Sequence, residues 1–216
     1  MQKMNLRDRL ICELDTGMRT VFAKARSGRP QPLPSIAIPD AADAVTDKAA
    51  IEESIRLMRV NHCGEVCAQA LYQGQALVAK GDQTRSLLVQ ASKEEHDHLA
   101  WCESRLAEMG GNKSRLSPLF YTGAFSLGVA SGLLGDKWSM GFLVETEQQV
   151  EAHLHRHLGR ISPTDARSRV IIEAMREDEI RHGQSGSQLG AMPLPGPIKT
   201  AMSMFSRVMT GSTYWI

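Results

Sequence analysis

An all-α bundle is the fold class this sequence predicts, and three observations carry that expectation. Long stretches are rich in Ala, Leu, Glu, Gln and Arg, residues that lose little freedom in a helix. Apolar residues recur at three- and four-residue intervals, and no run shows strand-type alternation. Gly pairs and Pro clusters punctuate the chain at helix-length intervals. With 216 residues, the chain can bury one substantial core.

Taken in order, residues 1–47 read as a helical start followed by an irregular linker. Gly28-Arg29-Pro30-Gln31-Pro32-Leu33-Pro34 cannot hold a regular helix. Residues 48–216 form the second unit, the bundle itself. A helix runs from 47 to about 79 and stops at Gly81. A second spans about 84–109 and ends on Gly110-Gly111. A third begins after Pro118 and stays nearly apolar to 135. A fourth covers 137–159. Ser162-Pro163-Thr164-Asp165 opens a fifth, with Ser162 as N-cap and Pro163 at the first helical position, and it runs to about 188. Pro193, Pro195 and Pro197 break the chain before a last amphipathic helix near 198–209.

Two of these helices carry Glu-x-x-His, at Glu95-His96-Asp97-His98 and Glu179-Ile180-Arg181-His182. Three residues of helix turn about 300°, so each Glu and its His share a face. One such pair alone is commonly a solvated surface pair. Here the second starts 84 residues after the first (179 − 95), and Glu65 and Glu147 repeat at a similar offset of 82 (147 − 65). Glu65 lies on a stripe with Met58 and Tyr72, Glu95 with Leu88 and Cys102, Glu147 with Leu143 and Leu154, and Glu179 with Met175. Four acids and two histidines therefore fall on the core faces of four helices. That is the inward-facing ligand set of a ferritin-like di-iron bundle. Four carboxylates and two Fe²⁺ also sum to zero charge, which suits a low-dielectric core.

Lys and Arg number 25 against 24 Asp and Glu, so nothing in the charge points to nucleic acid. Residues 1–15 mix charges among isolated apolar residues and lack the apolar run of a secretory signal. Cys12, Cys63, Cys67 and Cys102 contain no Cys-x-x-Cys pair and read as thiols of a reducing cytoplasm. His96 faces away from the ligand stripe. Of His153, His155 and His157, two are expected at the surface. His153 lies six residues after Glu147 and within about 120° of its stripe. It is a candidate supporting residue beside the metals, with ordinary packing as the alternative. His62 either supports Glu65 or is an exposed helical residue. The uncharged segment 116–135 reads as a close-packed core helix or a surface-lying, lipid-dipping one, rather than a transmembrane span. In the last helix Met202, Phe205 and Met209 share a face suited to packing or to a membrane or quinone surface.

Asn61-His62-Cys63-Gly64-Glu65 and Tyr72-Gln73-Gly74-Gln75 resemble the demethoxyubiquinone hydroxylase family of ubiquinone biosynthesis. So do Glu95-His96-Asp97-His98-Leu99, Thr146-Glu147-Gln148-Gln149-Val150, Asp178-Glu179-Ile180-Arg181-His182 and Ser212-Thr213-Tyr214. The resemblance covers about 50–216. It implies a ferritin-like di-iron hydroxylase domain over 48–216 and two Fe ions per subunit. Glu65, Glu95 and His98 would hold one iron, Glu147, Glu179 and His182 the other, with Glu95 and Glu179 bridging. It also implies that His153 lies near the irons; Leu154 stands where some relatives have a tyrosine. The implied reaction uses O₂ to hydroxylate the ring of a 6-methoxy-3-methyl-2-polyprenyl-1,4-benzoquinol. Implied partners are that quinol, O₂, a membrane surface and other ubiquinone-biosynthesis proteins. The implied place is peripheral, on the cytoplasmic face of the cell membrane. Competing readings are an iron- or peroxide-handling bundle of ferritin or rubrerythrin type, against which the long apolar segment speaks, and a structural bundle with buried acids.

Overall fold

A computed structural model describes residues 6–34 and 47–216, and these contain α-helices and no strand. The elements are α1 (Leu6–Phe22), α2 (Lys48–Val78), α3 (Asp82–Glu108), α4 (Ser117–Leu133), α5 (Asp136–Arg160), α6 (Ala166–Gln188) and α7 (Gly196–Thr213). α2 and α3 form one antiparallel pair, α5 and α6 another, and the pairs meet along α3–α6 and α2–α5. The crossover between them contains α4, which lies on α2 and α5; α7 also touches α2 and α5, and α1 touches α2 and α4.

Helix ends follow local chemistry. Asp47 caps α2 by accepting from Ala49 N at 3.0 Å. α3 ends at Gly110, whose φ of +72° suits glycine. The expected cap of α6 is corrected: its N-cap is Asp165, whose Oδ1 accepts from Ser168 N at 3.0 Å. Ser162 Oγ instead pairs with Thr164, in a turn that precedes the helix. Asp165 wins because the same carboxylate also receives Arg105 Nη2 at 2.8 Å, tying α6 to α3. The last helix is also longer at both ends than the expected 198–209.

Two apolar clusters fill the bundle. Leu57, Met58, Cys102, Leu106, Ile172 and Met175 belong to one, and Leu71, Tyr72, Leu88, Met140 and Leu143 to the other. Along each helix the inward glutamate lies between residues of these clusters, so the acids occupy the middle of the core. α4 seats itself through missing side chains. A Cβ on Gly128 would stand 2.2 Å from Leu71 O, and one on Gly74 2.4 Å from Phe125 O. The other face of α4 leaves Leu119, Leu127 and Leu133 exposed. No described helix is long and apolar enough to cross a membrane.

Candidate metal centre

The four bundle helices deliver Glu65, Glu95, Glu147 and Glu179 to one level, each at most 2% exposed. The two Glu-x-x-His helices add His98 and His182. One ligand atom from each of Glu65, Glu95, His98 and Glu179 lies within 4.8 Å of the others, and so does one from each of Glu95, Glu147, Glu179 and His182. Glu95 and Glu179 belong to both groups. His98 Nδ1 stands 3.1 Å from Glu95, 3.6 Å from Glu65 and 3.6 Å from Glu179. His182 Nδ1 stands 3.2 Å from Glu95, 3.5 Å from Glu147 and 3.5 Å from Glu179.

Both imidazoles thus turn Nδ1 inward, and their Nε2 atoms are held by carboxylates that cross over. His98 on α3 pairs with Asp178 of α6 at 2.8 Å, and His182 on α6 pairs with Glu94 of α3 at 3.0 Å. Each acid directly precedes the other motif's glutamate. Such a partner fixes the tautomer and strengthens the inward nitrogen as a donor. Sequence reasoning missed both acids. The available signal was an acid before each motif, again 84 apart (178 − 94). Tyr72 was read only as a core residue. Its buried hydroxyl donates to Glu147 Oε1.

The electrostatics show what the cluster lacks. Burial, then the Glu95 charge, pushes Glu65 well above the ordinary carboxyl range. Burial, then Glu95 and Glu147, does the same to Glu179. Glu95 goes the other way: burial opposes ionisation, but the neighbouring His182 and His98 hold it well below the usual range. Both imidazoles are raised although burial opposes it, His98 mainly by Asp178 and Glu65, His182 mainly by Glu147 and Glu179. Both oxygens of Glu179 are buried without a hydrogen-bond partner. Leaving such atoms bare is costly, and two divalent cations would supply what they need. An oxygen-rich set with one imidazole per cation, and no thiolate, suits iron or manganese. The residues fit a di-metal group.

An apolar cavity of about 660 Å³ lies between α2, α4, α5 and α7, on the two helices that carry Glu65 and Glu147 and the two that flank them. Gly64 and Ala68, Thr146 and Phe142, Leu127 and Phe205 are among its walls. Gly64 and Thr146 immediately precede Glu65 and Glu147. A Cβ on Gly64 would meet nothing within 4 Å, so the missing side chain leaves open volume beside Glu65.

The other histidines differ from expectation. His62 is 1% exposed with neither ring nitrogen bonded, so it is neither a surface residue nor tied to Glu65. Burial, then Lys113, lowers it to about 3. His157 is buried, leaving only His155 of the period-two tract exposed. His153 packs on His157, ring centroids 3.9 Å apart. Among the described residues no hydrogen bond or ion pair joins His153 to the glutamates.

A family model described as Ubiquinone biosynthesis protein COQ7 matches residues 52–213. The chain is 55% identical over 207 residues to the 3-demethoxyubiquinol 3-hydroxylase of Chromobacterium violaceum, covering 96% of this chain and 98% of that one. It is 52% identical to the protein of the same name from Dechloromonas aromatica, with the same coverage. Over 209 residues it is 50% identical to that of Laribacter hongkongensis, covering 97% and 99%.

Proposed function

The chain belongs to the ubiquinone biosynthesis protein COQ7 family, and from that premise we propose that it is a 3-demethoxyubiquinol 3-hydroxylase. It acts on the ring of a 6-methoxy-3-methyl-2-polyprenyl-1,4-benzoquinol, with O₂ as co-substrate. The observation that carries the reading is the pair of buried ligand groups sharing Glu95 and Glu179. In this reading Glu65, Glu95 and His98 hold one iron, and Glu147, Glu179 and His182 the other, with Glu95 and Glu179 between them. When bound, the two irons supply the reducing electrons that activate O₂.

The chain's own residues prepare the rest. Asp178 and Glu94 keep both Nε2 atoms occupied, so only Nδ1 of each imidazole is offered inward. Tyr72 fixes Oε1 of Glu147, the oxygen that stands 3.5 Å from His182 Nδ1. The walls of the apolar cavity carry no formal charge, so they favour a quinol ring over water. Gly64 keeps the approach beside Glu65 open for the ring. Leu127 and Leu134 of the α4 region, and Ile198 and Met202 of α7, continue the wall outward and suit the polyprenyl tail. We place the protein at the cytoplasmic face of the membrane, held peripherally. Supporting this are the exposed Leu127, Leu133, Met204 and Val208 on α4 and α7.

The test compares two variants two residues apart. Glu179→Ala should lose iron and all hydroxylation, because a shared ligand is gone. Glu177→Ala lies on the exposed side of α6 and should keep two irons and near-full activity on a demethoxyubiquinol analogue. Equal iron content and equal turnover in both variants would refute the assignment.

A further inference from the structure

The two Glu-x-x-His motifs are not equivalent in the position before the histidine. The second has Arg181 there; the first has Asp97. Arg181 reaches both supporting acids, placing Nη2 3.2 Å from Glu94 and Nη1 on Asp178. It therefore stands behind the carboxylate that holds His182 and behind Oδ1 of the one that holds His98. Arg181 meets only Oδ1 of Asp178, and Asp97 cannot support Oδ2, the oxygen that faces His98, since it has the wrong charge.

A guanidinium arrives from elsewhere. The segment after α1 crosses α3, with Ala25 N donating to Glu103 at 3.2 Å and Gly28 N to Asp97 Oδ1 at 2.7 Å. Arg29 then donates from Nε to Asp97 Oδ2 at 2.8 Å and from Nη2 to Asp178 Oδ2 at 2.7 Å. That same Oδ2 faces His98 Nε2. The guanidinium carbon lies 4.9 Å from the Trp101 ring centre, and Trp101 packs against His98 at 5.3 Å. Arg29 thus touches both the acid and the aromatic ring that locate His98. It also links α3 to α6 at this point.

We propose that Arg29 is a positioning residue for the metal centre: the strap at residues 25–29 supplies, from outside the bundle, the arginine that the first motif lacks. It holds Asp178 against His98 and so sets the geometry of the Glu65–Glu95–His98 half. The reading rests on the two-metal assignment above. The matched family region begins at residue 52, so the strap lies outside it. A lysine cannot replace the planar fork that spans two carboxylates.

The experiment is an anaerobic Fe²⁺ titration of apoprotein, wild type against Arg29→Gln and Arg29→Lys, with chelator-driven release as the kinetic counterpart. In Arg29→Gln one of the two irons should bind roughly tenfold more weakly, the lower end for loss of an outer-shell partner. The other should stay within about twofold, as its support by Glu94 and Arg181 is untouched. Arg29→Lys should fall between, which also guards against a folding defect in the glutamine variant. Linkage requires the reverse effect. Iron should protect the wild-type strap from trypsin at Lys24 and Arg26, and fail to protect it in Arg29→Gln. Wild-type constants in both variants overturn the proposal, as does equal weakening of both irons. If the wild type itself binds no iron, the two-metal reading falls together with it; if it binds two and the variants match it, only the role of Arg29 falls.

Discussion

Four consecutive residues of α2 show how densely single positions are used near the centre. Tyr72 orients Glu147, Gln73 Nε2 donates to the Glu13 carbonyl of α1 at 2.9 Å, Gly74 admits α4, and Gln75 donates to Ser139 O of α5 at 2.8 Å. One helical turn therefore positions a carboxylate and joins three other helices. His62 illustrates a different residue-scale effect. Folding holds it neutral down to about pH 3, whereas in the unfolded chain it takes a proton near 6.5. Between those values the unfolded form binds more protons, so stability falls as pH falls through that window. Going from pH 7 to 4, urea unfolding of the wild type should lose on the order of 3 kcal/mol more than that of His62→Gln. Parallel pH profiles would show that the ring is not kept neutral. The six inward ligand candidates were legible because spacing alone puts a helix residue on a face. Glu94 and Asp178 were not, since their partners lie on another helix and an acid beside an acid looks like ordinary surface charge. His62 and His157 were misjudged for a related reason: helix periodicity gives direction, but not what a later element lays over that direction.

At the scale of elements, the seat of α4 on α2 depends on glycine. The Cβ positions at Gly128 and Gly74 are taken by backbone of the facing helix, which cannot move aside like a flexible side chain. Gly128→Ala should destabilise the fold by at least about 1–3 kcal/mol, read as a lower denaturation midpoint, and should narrow the cavity that α4 walls. Gly64→Ala has free space around it inside the same helix and serves as the control, with a midpoint equal to or above that of the wild type. If the two midpoints coincide, the close approach of α2 and α4 contributes nothing. The sequence foretold each helix of the bundle because runs of helix formers end at Gly or Pro. It misplaced the start of α6 because Ser162-Pro163 satisfies the usual cap rule locally. The tertiary bond from Arg105 to Asp165 overrides that rule. The small residues of segment 116–135 foretold close packing, while its exposed leucines became visible only once the buried face was known.

For the whole molecule, symmetry and its breach both matter. Two helix pairs repeat the same ligand pattern, while α1, α4 and α7 have no counterparts. These three adjoin one another, α1 against α4 near Gly17 and Tyr121 and α4 against α7 through Phe120 and Phe205. Each exposes apolar side chains: Ile11, Leu14, Met18 and Phe22 on α1, Leu119 and Leu127 on α4, Met204 and Val208 on α7. A lipid surface would accept them, at about 0.8 kcal/mol per buried CH₂. Vesicle flotation should capture the wild type even in high salt. The double variant Met204→Glu, Val208→Glu should float less and lose more activity on a long-chain quinol than on a short-chain one. A wild type that never floats would end the peripheral-membrane reading. The strap's bond from Arg29 to Asp178 joins residues 149 apart in a chain of 216 and bears on biosynthesis. The ribosome makes residue 29 early and residue 178 late, so the strap has no complete docking site for most of translation. Glu179 and His182 are also absent until then. A nascent chain that stops short of residue 178 can present at most four of the six ligand candidates, with His98 lacking its Asp178 partner. Assembly of both ligand groups is therefore confined to chains synthesised through α6, and prematurely terminated products cannot complete either one.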